Sequence, residues 1–158
     1  DYPVIRIMPN TPCAVGEGMI LLCRGAGVTD GEVAEFRALM VHSGLLDEIP
    51  ETQIDAASAV AGCGPAFAYL FVEALADGGV ASGLPRAAAT ELAVQTVIGA
   101  AEMVRATGLH PTALKDQVTS PGGTTIRALE VLEDRAFAGT VIQAVRAACA
   151  RSEELGRS

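Results

Sequence analysis

Two patterns of apolar and polar positions divide the chain near Pro50. Before it, short apolar or β-branched runs bounded by Pro and Gly, VIRIM at 4–8 and MILLC at 19–23, predict buried strands. An acidic first turn at Asp30, then Val33, Phe36, Leu39 and Met40 at helical spacing, predicts a helix over 30–41 that stops at Ser43-Gly44. A third strand follows at 45–49. Strand, strand, helix, strand is the grammar of a sheet edge, and three strands with one helix make a poor independent core. The segment reads as the tail of an α/β domain that continues upstream.

From Glu51 the period turns helical and stays so. A helix over 53–61 stops at Gly62-Cys63-Gly64, and Pro65, at a first-turn position, launches a longer one to about Gly79. Pro85 starts another that ends at Gly108, with charge only at Arg86, Glu91, Glu102 and Arg105, while Leu92, Val94, Val97, Ile98, Met103 and Val104 cover most of its circumference. A helix apolar all round is buried on every side, and the other helices of so short a chain cannot surround it. A second copy of the chain is the expected cover. His110-Pro111 opens a short helix to about 118, TSPGG at 119–123 is non-helical, and helices follow over 124–134 and 135–155. No fixed-period repeat or low-complexity tract interrupts them.

Composition narrows the function classes. The 158 residues (16.2 kDa) suit one full domain or two partial ones. Eleven Lys and Arg against nineteen Asp and Glu give a net charge of −8 without any basic run, which disfavours nucleic acid and anionic membrane as partners. Half of the residues are hydrophobic but only 4% are aromatic, so Ala, Val, Leu and Ile carry the apolar content and closely packed helices are expected. The longest uncharged stretch, 56–72, falls short of a bilayer span of roughly 20 residues and is broken by Gly62, Gly64 and Pro65, so no membrane-spanning helix is predicted. Asp1-Tyr2-Pro3 offers neither Met nor a basic region, so no secretory signal is read and the sequence is consistent with a piece of something longer. Cys13, Cys23, Cys63 and Cys149 form no C-x-x-C and have only His42 and His110 as companions. They predict no metal site, and read as reduced thiols of a cytoplasmic protein.

Three loops could carry chemistry. Neither 25–30 nor 62–67 completes G-x-G-x-x-G, because Asp30 and Phe67 stand at the third glycine. In Ser120-Pro121-Gly122-Gly123-Thr124-Thr125, paired glycines let backbone N–H groups converge at a helix N-terminus beside three hydroxyls, a cradle for a carboxylate or phosphate; the alternative is a plain turn with Thr124 as N-cap. Gly62-Cys63-Gly64-Pro65 reads either as a second such opening or as a tight helix joint. Met8-Pro9-Asn10-Thr11-Pro12 is a strand end running into a rigid turn, where Asn10 either faces a cofactor beyond the strand or simply makes the turn. Glu73 and Asp77 read as solvated or paired carboxylates, and His110 as a helix cap.

Taken in order, VIRIMPNTP, DAASAVAGCGPAFAYLFVEALADGGVASGLPR and HPTALKDQVTSPGGTTIRALEVLE resemble pyrroline-5-carboxylate reductase, the enzyme family that forms proline. The resemblance implies a mainly α fold: over 51–158 a helical dimerisation domain of the 6-phosphogluconate-dehydrogenase-like type, preceded over 1–50 by a three-strand remnant of a Rossmann α/β domain. It implies NADPH or NADH as cofactor, 1-pyrroline-5-carboxylate as substrate, and a homodimer that in the family often assembles into a decamer. Carried over by residue, Val118, Ser120, Gly122, Gly123, Thr124 and Thr125 would bind the substrate, with Thr125 the catalytic hydroxyl at the ring nitrogen. Met8, Asn10, Cys63 and Gly64 would lie on the nicotinamide side. The family's S-G-S-G-P appears here as Ala61-Gly62-Cys63-Gly64-Pro65, so a weakly donating thiol replaces a hydroxyl there. Without a nucleotide-binding half the segment reads as inactive alone. The competing readings are a non-catalytic oligomerisation module and a reductase of another cyclic imine; a β-hydroxy-acid enzyme would need a cleft-facing Lys, and only Lys115 is present.

Overall fold

The computed structural model describes residues 2–157. They form two compact units, one running through Phe67 and resuming at Val141, the other spanning Ala68–Thr140.

The first unit is built on a three-stranded sheet. Strand β1 (Ile5–Met8) runs antiparallel to β2 (Gly18–Arg24), with Met8 opposite Leu21, and β2 runs parallel to β3 (Gly44–Glu48), with Gly18 opposite Gly44. Gly44 has φ +136° and a side chain there would strike the Gly18 backbone, so this pair requires glycine. Helix α1 (Asp30–Leu39) connects β2 to β3. It opens on a reciprocal cap, in which Thr29 accepts from the Glu32 N–H and the Glu32 carboxylate accepts from the Thr29 N–H (2.7 Å) and hydroxyl (2.8 Å). Arg24 ties the end of β2 to β3 through Glu48 (2.9 and 3.2 Å).

The core of this unit lies on β2, where Ile20, Leu21, Leu22 and Cys23 are buried. Helix α2 (Ile54–Ala61) sets Ile54 against Leu21 and Cys23, and Ala57 and Ala61 pack on the same cluster. The last helix, α7 (Phe137–Gly156), returns to this unit, and its Ser152 hydroxyl donates to Asp55 of α2 at 2.6 Å. The buried face of β2 thus takes its cover from α2, beyond Pro50.

The second unit holds most of α3 (Gly64–Ala81), α4 (Arg86–Thr107), α5 (Pro111–Gln117), α6 (Thr124–Asp134) and the start of α7. Ala76 of α3 and Ala89 and Ala93 of α4 are buried, with Val72 and Val80 against them. A Cβ at Gly79 would come within 3.1 Å of the Ala89 Cβ, so the glycine sets how closely the two helices approach. Arg86 pairs with Asp77 across the same contact, the Phe71 and Phe137 rings meet at 5.9 Å, and α4 ends at Gly108 in the left-handed conformation (φ +64°). His110 caps α5, its Nδ1 accepting from the Thr112 N–H at 3.2 Å.

Two expectations need correction. Strand β1 is not buried: it is an edge strand with one partner, and Ile7 and Met8 are about two-fifths exposed (39% and 40%). The turn after it is a 3-10 helix (Thr11–Val15), because Pro12 supports a tight right-handed turn that closes on left-handed Gly16. The stretch Glu51–Ala81 also contains a window of 18 residues with mean hydropathy 1.5, long and apolar enough by length and composition alone to cross a bilayer, and it is divided at Gly62-Cys63 into α2 and α3.

Candidate active site

The loop between α5 and α6 is built from a helix stop, a tight turn and a helix start. Helix α5 ends as Val118 donates its N–H to Lys115 C=O (3.2 Å), and the Thr119 hydroxyl returns to the same carbonyl at 2.7 Å. Gly123 N–H then donates to Ser120 C=O at 3.1 Å, across Pro121 and Gly122, with Gly122 at φ +68°. Proline second and left-handed glycine third is the arrangement of a type II turn. The turn delivers the chain into α6 with Gly123 as N-cap, and since glycine has no side chain, no side-chain cap closes this helix end. Thr124 is thus the first helical residue, not the cap.

Two consequences for chemistry follow. The first-turn amides of α6 have no intrahelical acceptor, and the helix dipole adds partial positive charge there. Among the described residues, the hydroxyls of Ser120, Thr124 and Thr125 make no protein hydrogen bond, unlike that of Thr119. A side chain at Gly123 would collide with the Ser120 Oγ, which keeps this hydroxyl against the glycine backbone. Val118 stands at the loop entrance, 65% exposed. The six residues expected at a substrate run from the end of α5 through this turn into the first turn of α6.

A second cluster forms in the sheet-bearing unit, at the carboxyl end of β1. The Asn10 carboxamide donates to Ala61 C=O (2.9 Å) and accepts from the Met19 N–H (2.9 Å), with the Cys13 Sγ at 4.0 Å from the same oxygen. A Cβ on Gly62 would lie 3.4 Å from the Met8 Cε, so Met8 abuts the turn that carries Cys63 and Gly64. Cys63 is an exposed free thiol, and the space around Gly64 is open to 4 Å. Met8, Asn10, Cys63 and Gly64 are thereby brought to one corner. The two hydrogen bonds of Asn10 are the feature that sequence reading misses, because turn asparagines and ligand-facing ones look alike in sequence.

The three-stranded mixed sheet followed by alanine-packed helices defines a mainly helical class with a small α/β part. A family profile described as pyrroline-5-carboxylate reductase dimerisation matches residues 51–155. The chain belongs to the pyrroline-5-carboxylate reductase family. It is 50% identical to the pyrroline-5-carboxylate reductase of Synechocystis over 157 residues, 99% of this chain and 59% of that protein. The Arabidopsis thaliana enzyme is 51% identical over 154 residues, 98% of this chain and 56% of that protein. The fold superposes on the Plasmodium falciparum pyrroline carboxylate reductase with NADP bound at a TM-score of 0.94 and 40% identity, covering 99% of this chain and 63% of that one. The chain thus spans less than two thirds of the length of these relatives.

Proposed function

We propose that this chain supplies the substrate-binding and subunit-pairing part of an NAD(P)H-dependent reductase that converts 1-pyrroline-5-carboxylate to proline. The observation that carries the reading is the loop at residues 118–125, where uncapped α6 amides and three uncommitted hydroxyls share one turn. A cyclic imino acid presents a carboxylate two bonds from its ring nitrogen, and such a loop answers both groups at once. The Gly123 to Thr125 amides and the Ser120 and Thr124 hydroxyls hold the carboxylate, with the helix dipole behind them. The Thr125 hydroxyl bonds the ring nitrogen and keeps the proton there, which matters because an iminium accepts hydride far more readily than a neutral imine. Fixing both ends of the ring orients its C=N face without any charged acid or base.

Residues Met8, Asn10, Cys63 and Gly64 suit the nicotinamide side, since a strand end and a glycine-rich helix opening meet there with open space beside Gly64. The nicotinamide, when bound, supplies the hydride. The chain's own part is to bind and orient the imine. Pairing with a second copy is supported by α4, whose Leu92, Ile98 and Met103 stay 56%, 55% and 49% exposed in the single chain, and which borders apolar grooves of about 400 and 360 Å³ against α3 and α5.

The test is reconstitution. Joined to the nucleotide-binding half of the Synechocystis relative, the chain is expected to oxidise NADPH in the presence of 1-pyrroline-5-carboxylate, and Thr125→Val is expected to lower kcat by about a hundredfold. A fusion that pairs and folds but reduces nothing would reverse the reading in favour of a non-catalytic pairing module.

A further inference from the structure

The clasp at Asn10 answers two defects that the sequence itself creates. The first lies in the sheet. Gly25 N–H bonds Val4 C=O at 3.0 Å, and bonded pairs in an antiparallel ladder recur at every second residue, so the pair after Met8 and Leu21 falls at Asn10 and Met19. By then the backbone has turned away into the 3-10 helix, where the Asn10 carbonyl accepts from the Cys13 N–H (3.1 Å) instead. The Asn10 side-chain oxygen takes the vacated place and accepts from Met19 N–H at 2.9 Å.

The second defect lies at the end of α2. A helical carbonyl accepts from the N–H four residues on, and four residues after Ala61 stands Pro65, which has none. The Gly62 and Cys63 amides both donate to Ser58 C=O (2.8 and 3.2 Å). Asn10 Nδ2 supplies the donor that Pro65 lacks. One carboxamide, half-buried, thus completes the ladder with its oxygen and the helix with its nitrogen.

We infer that Asn10 is a positioning residue, whose carboxamide locks the Gly62-Cys63-Gly64 turn to the carboxyl end of β1 and so holds the two segments on the nicotinamide side in one geometry. It acts through Ala61 and Met19, each of which takes one of its hydrogen bonds. The purpose of the lock rests on the reductase reading above; the lock itself does not.

Two experiments separate these. In the reconstituted fusion, Asn10→Asp keeps the acceptor for Met19 but sets a carboxylate oxygen against the Ala61 carbonyl. It is expected to lower kcat and raise KM for NADPH, by about tenfold or more for a displacement approaching 1 Å, while KM for the imine stays unchanged. Adding Pro65→Ala returns a backbone N–H to Ala61 and is expected to recover part of the loss, a rescue that a general weakening of the fold would not give. In the chain alone, amide hydrogen exchange is expected to quicken at Gly62 and Cys63 in Asn10→Asp, and at Met19 as well in Asn10→Ala. Unchanged cofactor kinetics, an equal rise in the imine KM, or unchanged exchange at Gly62 and Cys63 would each overturn the inference. A parent fusion without reductase activity would remove the catalytic reading, and exchange alone would then decide the lock.

Discussion

Helix α4 offers the sharpest quantitative test of pairing. Ala89 and Ala93 face α3 and are buried; at 100° per residue, Val94 and Ile98 fall on one flank of that stripe and Leu92 and Met103 on the other. Replacing Leu92 and Ile98 by Ala touches one residue on each flank without disturbing the buried alanine cluster. Fully burying a Leu or Ile is worth about 1.5–3 kcal/mol, and since these side chains are 56% and 55% exposed, roughly 1 kcal/mol apiece remains to be gained on association. A two-fold interface counts each residue twice, so the double variant forfeits about 4 kcal/mol, or about a thousandfold in dimer Kd. Alanine is the best helix former, so the circular dichroism of the chain should not fall. Sedimentation velocity over a dilution series reads the dissociation directly, and the single variants report which flank is covered. A parent chain that is monomeric at micromolar concentration, or a double variant that dissociates at the parent's concentration, would refute the reasoning.

Other perturbations probe other parts. Gly122→Ala should destabilise the chain by about 1 kcal/mol through backbone strain alone, because φ is +68° and the space around a Cβ there is open; an unshifted denaturant midpoint would contradict the left-handed turn. Hydrogen bonds from the Thr29 backbone and hydroxyl hold the Glu32 carboxyl below its ordinary range, so its contribution is present above the unfolded pKa and lost as pH falls through the folded one. Glu32→Gln should therefore flatten that part of the acid stability curve, and a Glu32 carbon resonance titrating at the ordinary carboxylate pH would oppose it. Alkylation followed by mass spectrometry should modify exposed Cys63 first and Cys23 last, since burial, with the Glu51 charge, pushes the Cys23 thiol up. Equal rates at the two would argue against the packing of α2 on β2.

Much of the helical part is legible from Pro and Gly, whose backbone limits act locally. Pro85 and Gly108 bracket α4 and Gly123 opens α6, each within a residue or two of where the punctuation puts them. The loop between α5 and α6 is legible for the same reason, because Pro121-Gly122 in sequence already specifies the turn that the backbone makes. Features that depend on distant partners are not. The exposure of β1 follows from its place at the edge of the sheet, and nothing within VIRIM encodes that. The bond from Ser152 to Asp55 joins residues 97 positions apart, so the membership of α7 in the sheet-bearing unit has no local trace. Asn10 lies between these cases. The missing N–H of Pro65 is visible in sequence, but the donor that replaces it arrives from 51 positions away.

The return of α7 has a consequence for the order in which the molecule is made. The sheet-bearing unit contains the first stretch of this sequence to leave the ribosome and also the last, while Ala68–Thr140 is contiguous. At roughly 5–20 residues per second, synthesis leaves several seconds between the emergence of Phe67 and that of the α7 segment that closes on Asp55. Throughout that interval the nascent sheet waits with α2 lacking its last neighbour, while the alanine-packed helices can already assemble behind it. Slow codons or a stall between α3 and α7 would lengthen the time that α2 spends without its α7 partner, and so translation speed becomes a determinant of yield that no equilibrium stability would reveal.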